Sequence, residues 1–351
     1  HRHLLVFGLG NIDDYKNLPS VSAGFPVSGN KLFRSVLQNY FYYMVIGLIL
    51  LISIWLVIFS FRREKISKLS VFSLLVFGYI LLAEFPYAPI EISPYRPETA
   101  VLAYQKLIDY VTDNNGLIFW AHPEAAYEEQ YHLKIPFLEP SVFLRTGSYS
   151  HLVYETVNHH GFAGFWEGMK VLGKPGGLWD MQLQEYCTGL QARPMFTIGE
   201  LDFEETNDLK LVNETNTFIF AENRSKRAIF DALRQGRMYA TRQFLGNKLL
   251  IDEFRAYNLQ NESSAFMGET LKTTGSPIAI HLKISVTETI KDQTLTLYRN
   301  TVPIKQIVLK ESIDEWIVDK NYPESGKFYY KIYGGKDFIN LVTNPIFVEN
   351  Q

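Results

Sequence analysis

The sequence predicts an α/β domain interrupted by a transmembrane helical hairpin and followed by a small all-β sandwich. Three observations carry that expectation. Residues 41–61 and 69–83 are long runs without a charge, and residues 91 to about 245 alternate helical and strand patterns. From about Gly246 onward, apolar residues fall into strict period-two alternation.

The 351 residues leave room for two domains of ordinary size with small extras. At 47% hydrophobic and 20% charged, a packed core is within reach and disorder is not the default. The net charge of -3 and the lack of a basic patch interleaved with aromatics give no indication of a nucleic-acid partner. Cys187 is the one cysteine, which excludes a disulfide within the chain and a zinc site built on several thiolates. In its Leu-Gln-Glu-Tyr-Cys-Thr-Gly setting it reads as a small buried hydrophobe. The opening His1-Arg2-His3 runs straight into Leu4-Leu5-Val6-Phe7-Gly8, so a longer protein with a preceding N-terminal part is expected.

Residues 41–61 (FYYMVIGLILLISIWLVIFSF) would form a helix about 31 Å long, the thickness of a bilayer's hydrocarbon core, with no polar face. Residues 69–83 (LSVFSLLVFGYILLA) would reach roughly 22 Å, with Lys68 and Glu84 at the two interfaces. The connector carries Arg62, Arg63, Lys65 and Lys68, which the positive-inside rule retains in the cytoplasm. Lys31, Arg34 and Arg96 on the far flanks weaken that contrast. The expectation is a two-pass protein embedded in the lipid bilayer, its soluble parts outside the cytoplasm.

In the α/β stretch, residues 97–111 read as an amphipathic helix with Val101, Leu102, Leu107, Ile108 and Val111 apolar. A turn at Asp113-Asn114-Asn115-Gly116 leads into a buried strand at 117–120. A helix opens at Trp179-Asp180, with Asp180 as N-cap, and stops near Gly189. Residues 195–198 form a strand, and residues 225–236 a helix ended by Gly236. Beyond residue 246, Ile278, Ile280, Leu282, Ile284 and Val286 share one strand face, with His281 on the outward face. Strands at 294–298 and 327–333 follow, separated by turn residues at Arg299-Asn300 and Gly334-Gly335; together these describe a sandwich.

Two segments are placed for chemistry. His122 and Pro123 directly follow the strand at 117–120, at the strand end where α/β folds keep their sites. Asp202 and Glu204 follow the strand at 195–198, and two neighbouring carboxylates suit a divalent metal. A satisfied structural histidine and an acidic solvated loop are the plain alternatives.

Strand-Ala121-His122-Pro123, then Gly199-Glu200-Leu201-Asp202 after a later strand, then Ala232 to Thr241 (ALRQGRMYAT) resembles the PHP superfamily, the polymerase and histidinol phosphatase-like metallohydrolases. His3-Leu-Leu-Val-Phe-Gly-Leu is similar to that family's third region, and the C-terminal strands ending in Asn344-Pro345-Ile346-Phe347-Val348 look like the sandwich appended to some members. The resemblance covers most of the chain outside the hairpin. It implies a distorted β/α barrel, formed by residues 1–40 and 91–245, with the hairpin at 41–90 inserted and the sandwich at 246–351. It also implies two or three divalent ions (Mn, Fe, Zn or Mg), with His3, His122 and Asp202 in ligand positions. The chain departs from the pattern at Leu201, where a Ser is usual, and at Glu204, where a His is usual; the first His-x-His and a Glu before the His3 region are absent. Glu204 as ligand favours Mn, Mg or Fe over Zn.

The implied function is a membrane-anchored hydrolase that cleaves a small-molecule phosphoester with metal-activated water. The alternative is a non-catalytic binding or structural module with a degenerate site. His159-His160 is a weak candidate pair, because adjacent side chains diverge. Residues 161–168 and 174–179 read as loops around the site, and Arg193 and Arg145 as phosphate binders that nothing in the sequence selects.

Overall fold

The computed structural model describes residues 2–22, 24–26, 31–62, 68–83, 90–132, 141–165, 167–202, 214–242, 249–287, 293–335 and 338–351. The chain divides into two compact units, Pro19–Leu107 and a larger one formed by His1–Leu18 with Ile108–Gln351.

The smaller unit holds the helices Lys31–Arg62 and Lys68–Ala83 and a short strand pair, Phe25–Pro26 with Ile90–Ile92. The hydroxyls of Ser53 and Ser73 meet at 2.7 Å between the helices. Among the described residues no helix is long and apolar enough to cross a membrane. Lys68–Ala83 has 16 residues and reaches about 24 Å, short of the roughly 30 Å needed. The expected two-pass hairpin and the membrane localisation are therefore corrected; of the connector, residues 63–67 lie outside the described residues.

The helix Pro97–Asp113 buries Ile108 and Val111 of the expected apolar residues, but not the others. Ala100, Ala103, Tyr104, Ile108 and Val111 are buried, while Leu102 is exposed. The i, i+3, i+4 spacing holds, but small Ala103 and amphipathic Tyr104 take the inner face.

In the larger unit the first sheet comprises β1 (Leu4–Phe7), β2 (Leu117–Trp120), β3 (Gly161–Phe165) and β4 (Phe196–Gly199), lying side by side in chain order. Strands β2, β3 and β4 are mutually parallel, but β1 runs antiparallel to β2, with Leu4 opposite Trp120 and Phe7 opposite Leu117. All four residues of β2 are fully buried, as a run apolar on both faces requires. β3 starts at Gly161 because a Cβ there would fall 1.7 Å from the Phe196 carbonyl oxygen.

The expected β/α barrel is not what forms. A barrel closes a ring of parallel strands, whereas this sheet is open and its first strand is reversed. The fold is mixed α/β with open sheets.

A second sheet takes the order Thr270–Thr273, Ile346–Asn350, Gly326–Gly334, Leu341–Thr343, Met238–Arg242 and Thr215–Ile219, with Gln293–Arg299 and Val302–Leu309 added beside Gly326–Gly334. A third holds Ser264–Phe266, Leu249–Asn258, Ile278–Val286 and Ile313–Asp319. They share a core that includes Phe254, Ile280, Leu282, Leu297, Phe328 and Ile332. Tyr239 pairs with Thr343, so the second sheet takes in strands from the α/β stretch.

Two side chains weld this part to the first sheet. Buried Asn344 accepts the Thr197 N–H at 2.7 Å and donates to the carbonyls of Thr197 and Met238, standing in for a strand beside β4. Asp180 lies in α1 (Leu178–Cys187), whose N-cap is Gly177 rather than Asp180. Its carboxylate instead takes the Gly176 N–H, the Tyr329 hydroxyl and the ammonium of fully buried Lys331. Lys331 also donates to the Tyr333 hydroxyl and sits 3.7 Å over the Trp179 ring. The following helix, α2 (Lys226–Gln235), is capped as its sequence demands: the Ser225 hydroxyl accepts the Ala228 N–H, and Gly236 takes a left-handed φ of 73°.

Candidate metal centre

The reversal of β1 positions the centre. Because β1 is antiparallel to β2, its start lies at the same sheet edge as the ends of β2 and β4. His3 precedes β1, His122 follows β2, and Asp202 follows β4. One potential ligand atom from each of these three lies within 4.8 Å of the others. The Ala121 N–H donates to the His3 carbonyl at 3.1 Å, so the ladder extends to the site, and the His3 and His122 rings meet edge to face at 4.9 Å. His122 is buried, while His3 and Asp202 are exposed.

His122 and Asp202 both carry positive φ, 25° and 52°. Non-glycine residues adopt such a backbone only when their surroundings enforce it, and they cluster at functional sites. Glu200 does the enforcing. One of its carboxylate oxygens accepts both the backbone N–H of His122 and faces its Nδ1, each at 3.2 Å; the other accepts the Asp202 N–H at 2.8 Å. One carboxylate therefore holds the backbone of two candidate ligands. A carboxylate beside Nδ1 keeps a proton on that nitrogen and leaves Nε2 with the lone pair.

Burial works against a charged His122, but the Glu200 hydrogen bond and the carboxylates of Asp202, Glu200 and Glu167 outweigh it and raise its pKa. His3 is lowered, first by burial and then by His122 beside it. Deeper in, the Glu124 carboxylate accepts the backbone N–H groups of Lys170, Val171 and Leu172 at 2.6 to 2.7 Å. That fixes the loop after β3, and the Glu124 N–H is itself taken by the Glu167 carbonyl.

The expected residues His3, His122 and Asp202 are thus brought together. Glu204 lies outside the described residues. His159 and His160 stay apart: His159 Nε2 donates to the Val153 carbonyl and His160 Nδ1 accepts the Ile118 N–H. Arg145 is exposed on the hairpin Tyr127–His132 with Ser141–Thr146. Cys187 is half-buried, and burial raises its thiol to about 11, opposed by Lys327, so it is a poor nucleophile. Sequence reasoning passed over Glu200 and Glu124. The signal for Glu200 was its place as the first residue after β4; for Glu124 it was spacing alone, two beyond His122.

Compared with protein-family models and with curated proteins, the chain matches none.

Proposed function

We propose that this protein is a divalent-metal-dependent hydrolase of the phosphoester class, with His3, His122 and Asp202 as the side chains that hold the ion. One observation supports this above others: two imidazoles and a carboxylate, from three separate strand ends, bring ligand atoms within 4.8 Å of one another. Ligands on an ion with bonds of about 2.0–2.2 Å lie roughly 3–4.3 Å apart, so a small closure suffices. Mixed imidazole and carboxylate donors suit Zn, Mn or Fe.

The chemistry such an ion supplies is Lewis acidity, which polarises a phosphoryl oxygen and acidifies water. The chain does the positioning. Glu200 holds a proton at His122 Nδ1 and fixes the backbone of both His122 and Asp202. Glu124 pins the 170–172 loop. Phosphoester as the substrate class draws on the likeness of the His122, Asp202 and 232–241 motifs to the PHP superfamily.

The test is equilibrium dialysis of the full chain against Mn²⁺ or Zn²⁺ with elemental analysis, followed by assay on phosphomono- and phosphodiesters. The wild type is expected to retain metal and turn over an ester, and His122→Ala to lose most of the metal. Equal metal in wild type and His122→Ala would sink the site. Metal without turnover would assign it to the binding-module reading.

A further inference from the structure

At the opposite edge of the first sheet, where β3 and β4 begin, lies a second feature that owes nothing to the metal ligands. A cavity of about 520 Å³ is lined by His160, Tyr186, Arg193, Pro194, Phe196 and Arg234, among others. That volume falls in the range of small-molecule pockets, which pair apolar walls with a few placed polar groups.

The two arginines are held in matching ways. Arg234 Nη2 donates to the Asn115 carbonyl at 3.1 Å, and Arg193 Nη1 to the Asn158 carbonyl at 3.4 Å. Asn115 and Asn158 both adopt left-handed φ, 56° and 65°, in the loops entering β2 and β3. Arg234 also pairs with Asp231 at 3.1 Å. Among the described residues Arg193 meets no carboxylate. Glu269, also on the lining, has one carboxylate oxygen taken by the Phe266 N–H at 2.8 Å.

His160 keeps the pocket from holding a third charge. Its Nδ1 accepts the Ile118 N–H, so the ring's proton sits on Nε2, and burial followed by Arg193 and Arg234 lowers its pKa to about 3. It is a neutral hydrogen-bond donor. Buried Phe196, with Pro194 and Tyr186, adds apolar lining to the same cavity. Gly268 runs so close to the neighbouring chain that a Cβ would meet the Gln235 carbonyl oxygen at 1.7 Å.

We infer that this cavity binds a small organic anion, its oxyanion head on Arg193 and Arg234 and its flat apolar body against Phe196, Pro194 and Tyr186. Planar guanidinium forks match carboxylate and phosphate oxygens alike. A bare inorganic ion would use the head contacts and leave the apolar lining uncovered.

The experiment is isothermal titration of the full chain, stripped of metal with EDTA, against benzoate, phenyl phosphate and inorganic phosphate. One of the two aromatic anions is expected to bind at least tenfold more tightly than inorganic phosphate, and the tighter one names the head. Arg193→Gln with Arg234→Gln should weaken it at least tenfold, while Asp202→Asn leaves it unchanged. Should the double variant unfold, Arg193→Gln alone, exposed and away from α2, carries the same expectation at about threefold. No saturable binding by either aromatic anion, equal affinity in the arginine variants, or loss in Asp202→Asn would each overturn the proposal. Because metal is absent throughout, failure here leaves the hydrolase reading untouched, and the reverse also holds.

Discussion

Asp180 with Lys331 and His122 with Asp202 each set a basic side chain beside a carboxylate in the larger unit, yet they are built for different ends. Lys331 and Asp180 are fully enclosed, and Lys331, Tyr329 and the Gly176 N–H each donate to the one carboxylate. His122 is equally buried, but Asp202 is exposed, their separation is 3.8 Å, and both backbones are held at positive φ. A closed cluster, sealed from solvent and engaged with its own donors, gives a ligand no approach. An open one held in a costly conformation leaves that approach free. The first should therefore govern stability and the second binding, with little crossover.

Breaking the closed cluster should give the largest effect. Lys331→Ala strands the Asp180 carboxylate in the interior, a loss of about 3–5 kcal/mol of unfolding free energy, read by urea denaturation. Its folded fraction should bind metal as the wild type does; altered metal affinity would mean the two clusters are coupled and the contrast false. Asp202→Asn should do the converse. Metal affinity should drop about 100-fold or more, while stability stays within about 0.5 kcal/mol, as for an exposed position. A destabilised Asp202→Asn protein would show that the centre is structural.

The division was only partly legible in the sequence. Strands β2 and Ile278–Val286 have the bounds that apolar runs and alternation predicted, and Ser225 and Gly236 cap α2 as local chemistry requires. Those signals act over a few residues. His281 points away from the core side chains as alternation predicts, but it is buried and not the solvated histidine that reading implies: it is stacked on Trp316 at 4.3 Å and bonded to Asp314, neighbours across a strand pair that lie outside any local pattern. The reversed direction of β1, the Asp180–Lys331 pair and the grip of Glu200 on His122 all depend on long-range pairing, which no periodicity encodes. The membrane hairpin failed for a different reason: an uncharged run reports hydrophobicity, whereas a span also demands length, and Lys68–Ala83 has only 16 residues. Arg193 carried no local mark at all, and only its place on one cavity with Arg234 selects it.

A pH series sharpens the contrast further. Burial lowers the Lys331 pKa to about 8 against an ordinary 10.5, and Asp180 only partly offsets it. Between those values the unfolded chain binds more protons than the folded one, so stability rises with pH there, by at most about 1.4 kcal/mol per unit. This contribution is complete above pH 10.5 and lost as pH falls through about 8. Subtracting the stability profile of Lys331→Met should remove that rise. An unchanged slope in the variant would assign the pH dependence to other groups and leave Lys331 an ordinary ammonium.

The smallest effect tests how the open cluster is held. In Glu200→Gln the side-chain oxygen can still accept the His122 N–H or the Asp202 N–H, but one of the two oxygens becomes an amide nitrogen and the charge facing His122 Nδ1 is gone. The ligands themselves remain, so metal should still bind, about tenfold more weakly, in the range seen when an outer-shell carboxylate is neutralised. The measure is competitive titration against a chelator indicator, alongside Asp202→Asn. Glu200→Gln should lie between wild type and Asp202→Asn, since a positioning group shifts the lone pairs without removing one. If it equals Asp202→Asn, Glu200 is itself a ligand and the cluster has four donors. If it equals wild type, the positive φ of His122 and Asp202 is enforced by the strand ends alone, and the open cluster needs no carboxylate to hold it.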